Sequence, residues 1–256
     1  MFLQRLRDVS PNNAYVMESF DVSALYTNVS NDSAMEAIHE LLVEHKRGIH
    51  MHGLSIQQLM VLLKGCLNCS TFRWSGKYYA QMRGLAMGQR LAPSLAIAFM
   101  SGIEAPVIEL RPLLYCRYID DCFVIFSTQE EMDKCFELLN EQSEYIKFTR
   151  EKPKESWLPF LNVQVNLSSS GNMTKWYLKP SNKNILIHFL SSHPSHTKRA
   201  IVRNMFRTAT SGCTKKELRE ESRDLTRQIA ISIGYEMVTR RDTVKRRAMP
   251  QDLTLE

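Results

Sequence analysis

The chain has 256 residues, of which 44% are hydrophobic and 23% are charged, a composition that fits one large globular domain or two joined lobes. No apolar run is long enough to span a bilayer and the N-terminus carries no apolar signal-peptide core, so we expect neither a membrane-spanning helix nor a secretory leader. The formal net charge is +6, which favours a polyanionic partner.

The first predicted elements are a strand and a helix. Residues 14–29 read as a strand that runs into a short turn, because Val16, Phe20 and Val22 are strand formers. Apolar residues then recur at helical spacing as far as Gly48, which predicts an amphipathic helix. Its expected N-cap is Asn31 or Ser33.

Three further elements follow before the middle of the chain. A second helix is predicted after Ser55, which is a suitable N-cap. Residues 70–81 read as a β-hairpin that turns at Ser75-Gly76. A glycine-containing loop comes next, and an apolar helix begins near Pro93, because proline is well tolerated in the first helical turn.

The middle of the chain predicts a hairpin and a capped helix. Residues 113–126 alternate on both sides of the pair Asp120-Asp121, as expected for two strands with the acids at their tip. The next segment is an amphipathic helix in which Thr128 and Glu131 have the spacing of a capping box.

The last third changes in charge. Residues 158–180 hold two predicted strands joined by a Ser-Ser-Ser-Gly turn, and from about residue 191 the pattern is helical. Residues 1–190 hold 19 Lys/Arg and 19 Asp/Glu, whereas residues 191–256 hold 14 Lys/Arg and 8 Asp/Glu. This excess indicates a basic lobe that contacts a polyanion, with a solvated basic helical surface as the alternative. The last dozen residues read as a fraying tail.

The six cysteines show no disulfide framework. Cys116, Cys122 and Cys135 lie in apolar patterns, which indicates buried, reduced thiols and an intracellular, reducing compartment. The pair Cys66-x-x-Cys69 has no second pair nearby, so it is a weak zinc signal.

The adjacent pair Asp120-Asp121 within an apolar run requires an explanation, because ionised carboxylates are costly to desolvate and repel each other. Asp21 also stands at the end of a strand-like run, 99 residues before Asp120. Two strands of one sheet would bring Asp21 beside the pair Asp120-Asp121. Three gathered carboxylates form a site for two magnesium ions, and such a pair stabilises an in-line phosphoryl displacement.

At this point the chain resembles the reverse transcriptases of Penelope-like retroelements. The resemblance covers residues 14–235 and rests on an ordered set of motifs: "FDVSALYTNV", "GLAMGQRLAPSLA", "YIDDCFVIF", "KFTREKPKESWLPFLNVQV", "WYLKPS", "SSHPSHTKR" and Gly234-Tyr235. The chain departs from the pattern at Gln89-Arg90, where relatives usually have Ser-Pro, and at Asn162, where Asp is common and which we interpret as structural.

The resemblance implies an α+β fold: a right-hand polymerase palm, in which helices back an antiparallel sheet, with partial fingers and a helical thumb. The palm would comprise residues 14–30 and 84–190, the partial fingers 31–83, and the basic thumb 191–256. The sequence begins shortly before Asp21, and the GIY-YIG endonuclease of many Penelope-like elements is missing, so the chain resembles a palm and thumb fragment of a longer reading frame. The family also implies a nuclear location.

The same resemblance implies site roles. Asp21, Asp120 and Asp121 would be catalytic and bind two Mg²⁺ ions, for which Mn²⁺ is a possible substitute. Contacts to the incoming nucleotide would come from Tyr26 as a steric gate, Gly88, Gln89 and Lys152. The primer and template would be held by Trp176, Tyr177, Lys179, Lys198, Arg199, Arg203 and Arg207.

Several of these roles have simpler alternatives. Tyr26 could be an ordinary core tyrosine and Gly88 a plain turn. Arg150 and Lys154 compete with Lys152 for the triphosphate. The "WYLKPS" segment could be an edge hairpin with solvated lysines.

Three functions are open at this stage. The favoured one is RNA-directed DNA synthesis, with an RNA template, a DNA primer and dNTPs as partners. The second is a catalytically inactive nucleic-acid-binding remnant of a retroelement polymerase. The third is an RNA-templated RNA polymerase with a similar palm.

Overall fold

The computed structural model describes residues 2–9, 15–168, 171–179 and 186–235. It divides into two compact units, Met1–Phe160 and Leu161–Glu256. None of the helices in this described part of the chain is long and apolar enough to cross a bilayer.

The first unit combines helices with short strands. Its helices are α1 (Phe2–Asp8), α2 (Leu25–Asn28), α3 (Asn31–Glu44), α4 (Ile56–Asn68), α5 (Ala92–Glu109) and α6 (Gln129–Glu141). Its strands are β1 (Val16–Val22), β2 (Thr71–Trp74), β3 (Lys77–Ala80), β4 (Leu114–Tyr118), β5 (Asp121–Phe126), β6 (Phe148–Glu151) and β7 (Leu158–Phe160).

One antiparallel sheet organises this unit, with strand order β4-β5-β1-β6. Alternate residues of β1 and β5 point to one face, where Phe20, Val124 and Phe126 join residues of α5 and α6 in the main hydrophobic core. The separate two-stranded hairpin β2–β3 turns at Ser75-Gly76, as the sequence predicts.

The second unit contains a hairpin and a helix pair. Strands β8 (Val163–Asn166) and β9 (Met173–Trp176) pair antiparallel, and α7 (Ser195–Ser211) and α8 (Lys216–Ser232) follow. The backbone N–H of Thr174 donates to Thr214 Oγ1 at 2.9 Å, which ties β9 to the turn between the helices. The predicted tail lies outside the described residues.

Local sequence signals locate the starts of α4, α5 and α6. Thr128–Glu131 and Ser55–Gln58 both form complete capping boxes. The expected N-cap of α3 was wrong by at least one position: Ser30 caps the helix, because its hydroxyl accepts the N–H of Ser33 at 3.0 Å.

Two other expectations need correction. The strand at residues 14–29 ends at Val22, because Ala24 adopts a left-handed conformation and starts the one-turn helix α2. The segment 158–180 holds three strands rather than two, since Leu161 has a positive φ of 53° and interrupts the extended run between β7 and β8.

Candidate active site

Strand pairing brings the separated acids together. In the register of β1 with β5, Asp21 lies directly opposite Asp121. The backbone N–H of Val22 donates to the carbonyl of Asp120 at 3.1 Å, so the hairpin tip is hydrogen-bonded to the end of β1. Three aspartates from two distant parts of the sequence therefore lie at one end of the sheet, where β1 ends and β5 begins.

These carboxylates suit a divalent cation. Asp21 is exposed and Asp120 and Asp121 are half-buried, whereas their strand neighbours Phe20 and Cys122 are buried. Among the described residues, no three or more His, Cys, Asp or Glu side chains lie together in an arrangement that could hold a metal ion. An open pair of carboxylates is nevertheless the usual protein share of a magnesium site, because Mg²⁺ retains water and binds substrate phosphates. The donor set therefore fits the implied metal.

Tyr26 lies next to these acids, on α2. Burial raises the pKa of its phenol, and the nearby Asp120 carboxylate and Tyr118 raise that pKa further. The side chain is half-buried, and its backbone carbonyl accepts the N–H of Leu85 at 2.6 Å. The glycine-containing loop is thus hydrogen-bonded to the tyrosine of the first acidic motif.

Within this loop, Gly84 packs most closely against the backbone of Tyr26. This glycine was not singled out from the sequence. Its φ is +83°, and a Cβ built there would lie 2.9 Å from the carbonyl oxygen of Tyr26. Gly88, which the family resemblance singles out, also has a positive φ, but the space around it is open. The Gln89 side chain donates to the carbonyl of Cys66 at 3.2 Å. Gly84 packs against protein, whereas Gly88 leaves room for a ligand.

Replacing Gly84 by Ala should destabilise the chain by about 1–3 kcal/mol, because the residue is left-handed and a methyl group meets backbone atoms. Thermal unfolding measures this. Gly53→Ala is the matched control, since Gly53 has a φ of +81° with open space around it. A loss in the Gly84 variant no larger than in the control would show that the close approach is unimportant.

A buried network supports the tip of the acidic hairpin. Glu104 of α5 accepts from the Tyr115 hydroxyl at 2.8 Å and pairs with Arg117, and both partners lie on β4. Arg117 also donates to the carbonyl of Ile119 at 3.2 Å, inside the turn where Ile119 has a φ of +58°. Burial raises the pKa of the neighbouring Cys122 thiol to about 12. This network holds a strained turn in place directly before Asp120.

A second buried acid, Glu18, lies on β1. Arg150 of β6 donates to both of its oxygens at 2.7 Å and also to Asp133 of α6 at 2.8 Å. The Nζ atom of Lys152 is 3.7 Å from Glu18. Because side chains alternate along β1, this cluster lies on the opposite face from Asp21. The only hint in the sequence was an acid, Glu18, in a strand of mostly apolar residues.

The predicted primer-binding and template-binding residues lie in the second unit. Trp176 ends β9, the N–H of Tyr177 donates to the Asn162 carbonyl at 2.9 Å, and Lys179 is exposed. The Nζ atom of Lys198 donates to the Phe189 carbonyl at 2.6 Å. The exposed arginines of α7 recur at helical spacing: Arg199, Arg203 and Arg207.

Comparison with family profiles gives two matches. The profile described as reverse transcriptase (RNA-dependent DNA polymerase) matches residues 5–164, which is more than half of the chain. The profile described as an animal helix-turn-helix domain matches residues 185–244. A search of curated proteins found no match.

Solved structures match across most of the chain. Telomerase from Candida albicans, solved with the TWJ fragment of telomeric RNA, superimposes with a TM-score of 0.59 at 13% identity and covers 95% of this chain and 45% of its own. Apo telomerase from Candida tropicalis without its C-terminal domain gives a TM-score of 0.52 at 16% identity and covers 67% of this chain and 38% of its own. The chain therefore spans less than half the length of these proteins. The likeness confirms the predicted mixed α+β, palm-like fold with a C-terminal helical pair.

Proposed function

The chain belongs to the reverse transcriptase family, and from this premise we propose that it is an RNA-directed DNA polymerase whose palm aspartates hold two divalent cations. The observation that carries the proposal is the pairing of Asp21 with Asp121, beside a turn that presents Asp120. Within the family we assign the chain to a Penelope-like lineage on its motif order.

The reaction is a phosphoryl transfer. The 3′-hydroxyl oxygen of a DNA primer bonds to the α-phosphorus of a dNTP, the bond to the bridging oxygen breaks, pyrophosphate leaves and the hydroxyl proton passes to solvent. Asp21, Asp120 and Asp121 would hold the cations, which neutralise charge on the transferring phosphoryl group. Positioning by the protein then accounts for most of the remaining rate.

Two elements of the chain would orient the nucleotide. The open space beside Gly88 allows a base or sugar to approach the backbone, and Gln89 anchors the same loop to α4. The side chain of Lys152 is 58% exposed, but its ammonium lies 3.7 Å from Glu18, on the face of the sheet opposite Asp21, so a contact with the triphosphate would need this side chain to leave Glu18. Arg150 is less suited to the triphosphate, because Glu18 and Asp133 already engage its guanidinium.

Tyr26 would act as the steric gate against ribonucleotides. We expect Tyr26→Ala to lower the preference for dNTP over NTP by about tenfold or more, since the clash with the 2′-hydroxyl is lost. Steady-state incorporation of dCTP and CTP measures this ratio. Tyr26→Phe is the control that keeps the ring. Reduced stability with an unchanged ratio would instead indicate a core tyrosine. A wild-type preference for NTP would favour an RNA polymerase.

The second unit would bind the primer–template duplex. Trp176, Tyr177 and Lys179 would contact the primer strand. Helix α7 holds four Lys/Arg and no acids, whereas α8 holds four of each. This asymmetry favours phosphate contacts by the first helix of the pair, with Lys198, Arg199, Arg203 and Arg207 tracking the duplex backbone. In the usual helix-turn-helix mode the second helix reads the bases, but here the second helix, α8, has no net positive charge.

The direct test is primer extension by the chain on poly(rA)/oligo(dT), with Mg²⁺ and then Mn²⁺. Incorporation of dTTP that depends on the RNA template supports the proposal. The second candidate function, an inactive binding remnant, is favoured by Gln89-Arg90 in place of the usual residues. It predicts salt-dependent gel shifts without incorporation at any concentration of either cation.

We also propose an intracellular, reducing location, with the nucleus as the site of action. All six cysteines are free and four of them are buried, in keeping with a compartment where thiols stay reduced.

A further inference from the structure

The segment before α5 is strongly basic, although residues 1–190 are neutral as a whole. Residues 45–103 contain no Asp or Glu. Because no acidic residue stands among them, the positive charges of this segment are not balanced within the segment, and they attract polyanions independently of the C-terminal helices. Its seven cationic residues are Lys46, Arg47, Lys64, Arg73, Lys77, Arg83 and Arg90.

In the middle of this segment stands the hairpin β2–β3, residues 71–80, here called the aromatic hairpin. All eight strand residues are exposed. Trp74 is 71% exposed and Tyr78 is 76% exposed. A two-stranded hairpin gains stability by burying apolar side chains. The exposure of four aromatic side chains on this hairpin therefore indicates a binding surface.

The aromatics occupy both faces of the hairpin. Phe72 stacks on Tyr79 across the strands, with ring centroids 5.6 Å apart and planes at 21°. On the other face the Arg73 guanidinium lies 5.8 Å from the centre of the Tyr78 ring. Aromatic rings interleaved with Arg and Lys are the usual surface for single-stranded nucleic acid, because bases stack on the rings while cations meet phosphates.

Hydrogen bonds connect the hairpin base to the active-site loop. The N–H of Gln81 donates to the Ser70 carbonyl at 2.9 Å, and the Gln81 side chain donates to the carbonyls of Arg83 and Gly84 at 3.1 Å each. The N–H of Leu85 in turn donates to the Tyr26 carbonyl. These bonds join the base of the aromatic hairpin to the loop that contacts Tyr26, the tyrosine beside the acids.

A cleft of about 410 Å³ opens at the base of the hairpin. Its lining is more polar than apolar and includes the Phe72 ring and the thiols of Cys66 and Cys69, which favours a polar ligand over an apolar peptide. The main lining residues are Cys66, Cys69, Phe72, Gln81, Met87 and Gln89.

We propose that the aromatic hairpin and its cleft bind the single-stranded template next to the active site, by stacking unpaired bases on Phe72, Trp74 and Tyr78. The inference rests on the proposed function for the identity of the strand. The binding itself needs neither metal nor dNTP. An acidic protein would also match the charge, but a single strand supplies both phosphates for the cations and flat bases for the exposed rings, so we commit to nucleic acid.

The test is the affinity of the full chain for a fluorescent 12-nucleotide oligo(rU), measured by anisotropy in EDTA without dNTP. We expect Trp74→Ala and Tyr78→Ala each to raise the Kd about fivefold or more, the effect of one lost base–aromatic stack. Trp74→Phe should retain most of the affinity. Affinity for a blunt duplex should change little in all three variants.

Two controls separate stacking from other effects. Val61→Ala removes an equally exposed apolar side chain from α4 and should leave the Kd unchanged. Arg73→Gln should flatten the salt dependence of binding, because each phosphate contact on a single strand contributes a slope of about 0.7. Circular dichroism of each variant checks that the fold is intact.

The outcomes are distinct from those of the polymerase test. Unchanged oligo(rU) binding by both aromatic variants would overturn this inference even if the chain extends primers. Weakened binding by both variants would support it even if no extension occurs. Sedimentation velocity tests the alternative that the hairpin binds a second copy of the chain. If Trp74→Ala and Tyr78→Ala abolish self-association but leave RNA binding unchanged, the hairpin is a surface for self-association and the inference is wrong.

Discussion

Asp120→Asn should abolish magnesium-dependent primer extension, with a fall of about a thousandfold or more. The hairpin tip presents this carboxylate beside Asp21 and Asp121, and its loss removes one charge from the proposed metal-binding set. Metal ions contribute several kcal/mol of charge stabilisation in such transfers, and roughly 1.4 kcal/mol of barrier corresponds to a factor of ten in rate. Single-nucleotide extension with radiolabelled primer measures the effect.

The fold should survive this change. Like charges on opposing strands repel, so in EDTA the variant should unfold at a temperature equal to or above that of the wild type. Asp32→Asn is the matched control, because it makes the same charge change at an exposed position of α3. Extension at the wild-type rate by Asp120→Asn, or a clear loss of thermal stability in EDTA, would contradict the catalytic assignment.

Arg150→Met should destabilise the first unit by about 3–5 kcal/mol, which is the usual effect of leaving a buried charge without its partner. The side chain of Glu18 is 1% exposed, and Arg150 donates to both of its oxygens. Two other groups contact Glu18: Gln129 donates one amide hydrogen bond, and the ammonium of Lys152 lies 3.7 Å away. These contacts do not replace the two hydrogen bonds from the guanidinium. Urea unfolding followed by tryptophan fluorescence measures the loss.

A double variant tests whether the unpaired Glu18 carboxylate causes the loss of stability in Arg150→Met. Glu18→Met combined with Arg150→Met should recover most of the lost stability, because the charges that lose a partner, Asp133 and Lys152, are both partly exposed and no buried charge is left unpaired. Arg227→Met breaks an exposed pair with Asp224 and should cause no measurable change. Equal losses in the single and double variants would attribute the effect to packing instead of charge.

Much of the local structure can be predicted from the sequence, because its signals act within one turn or one hairpin. Capping boxes at Ser55 and Thr128 set the starts of α4 and α6, and Ser75-Gly76 sets the turn of the aromatic hairpin. The cap of α3 was misplaced since Ser30 and Ser33 are both good caps and only the backbone geometry distinguishes them.

The residues that support the site were not predicted. Glu104 with Arg117 and Glu18 with Arg150 are pairs whose members belong to different elements of the chain. Nothing in the neighbourhood of either acid indicates its partner. Gly84 and Gly88 likewise look alike in sequence, yet only Gly84 packs against the Tyr26 backbone.

The sequence by itself determined the set of chemical groups: isolated aspartates at the ends of apolar strands, a tyrosine five positions after the first of them, and a basic C-terminal quarter. Tertiary structure alone decided that Asp21 faces Asp121, which charges are buried in pairs, and that the aromatics of residues 71–80 stay exposed. The physical reason is that strand register and burial depend on the packing of residues far apart in the chain, whereas caps and turns are satisfied by their immediate neighbours.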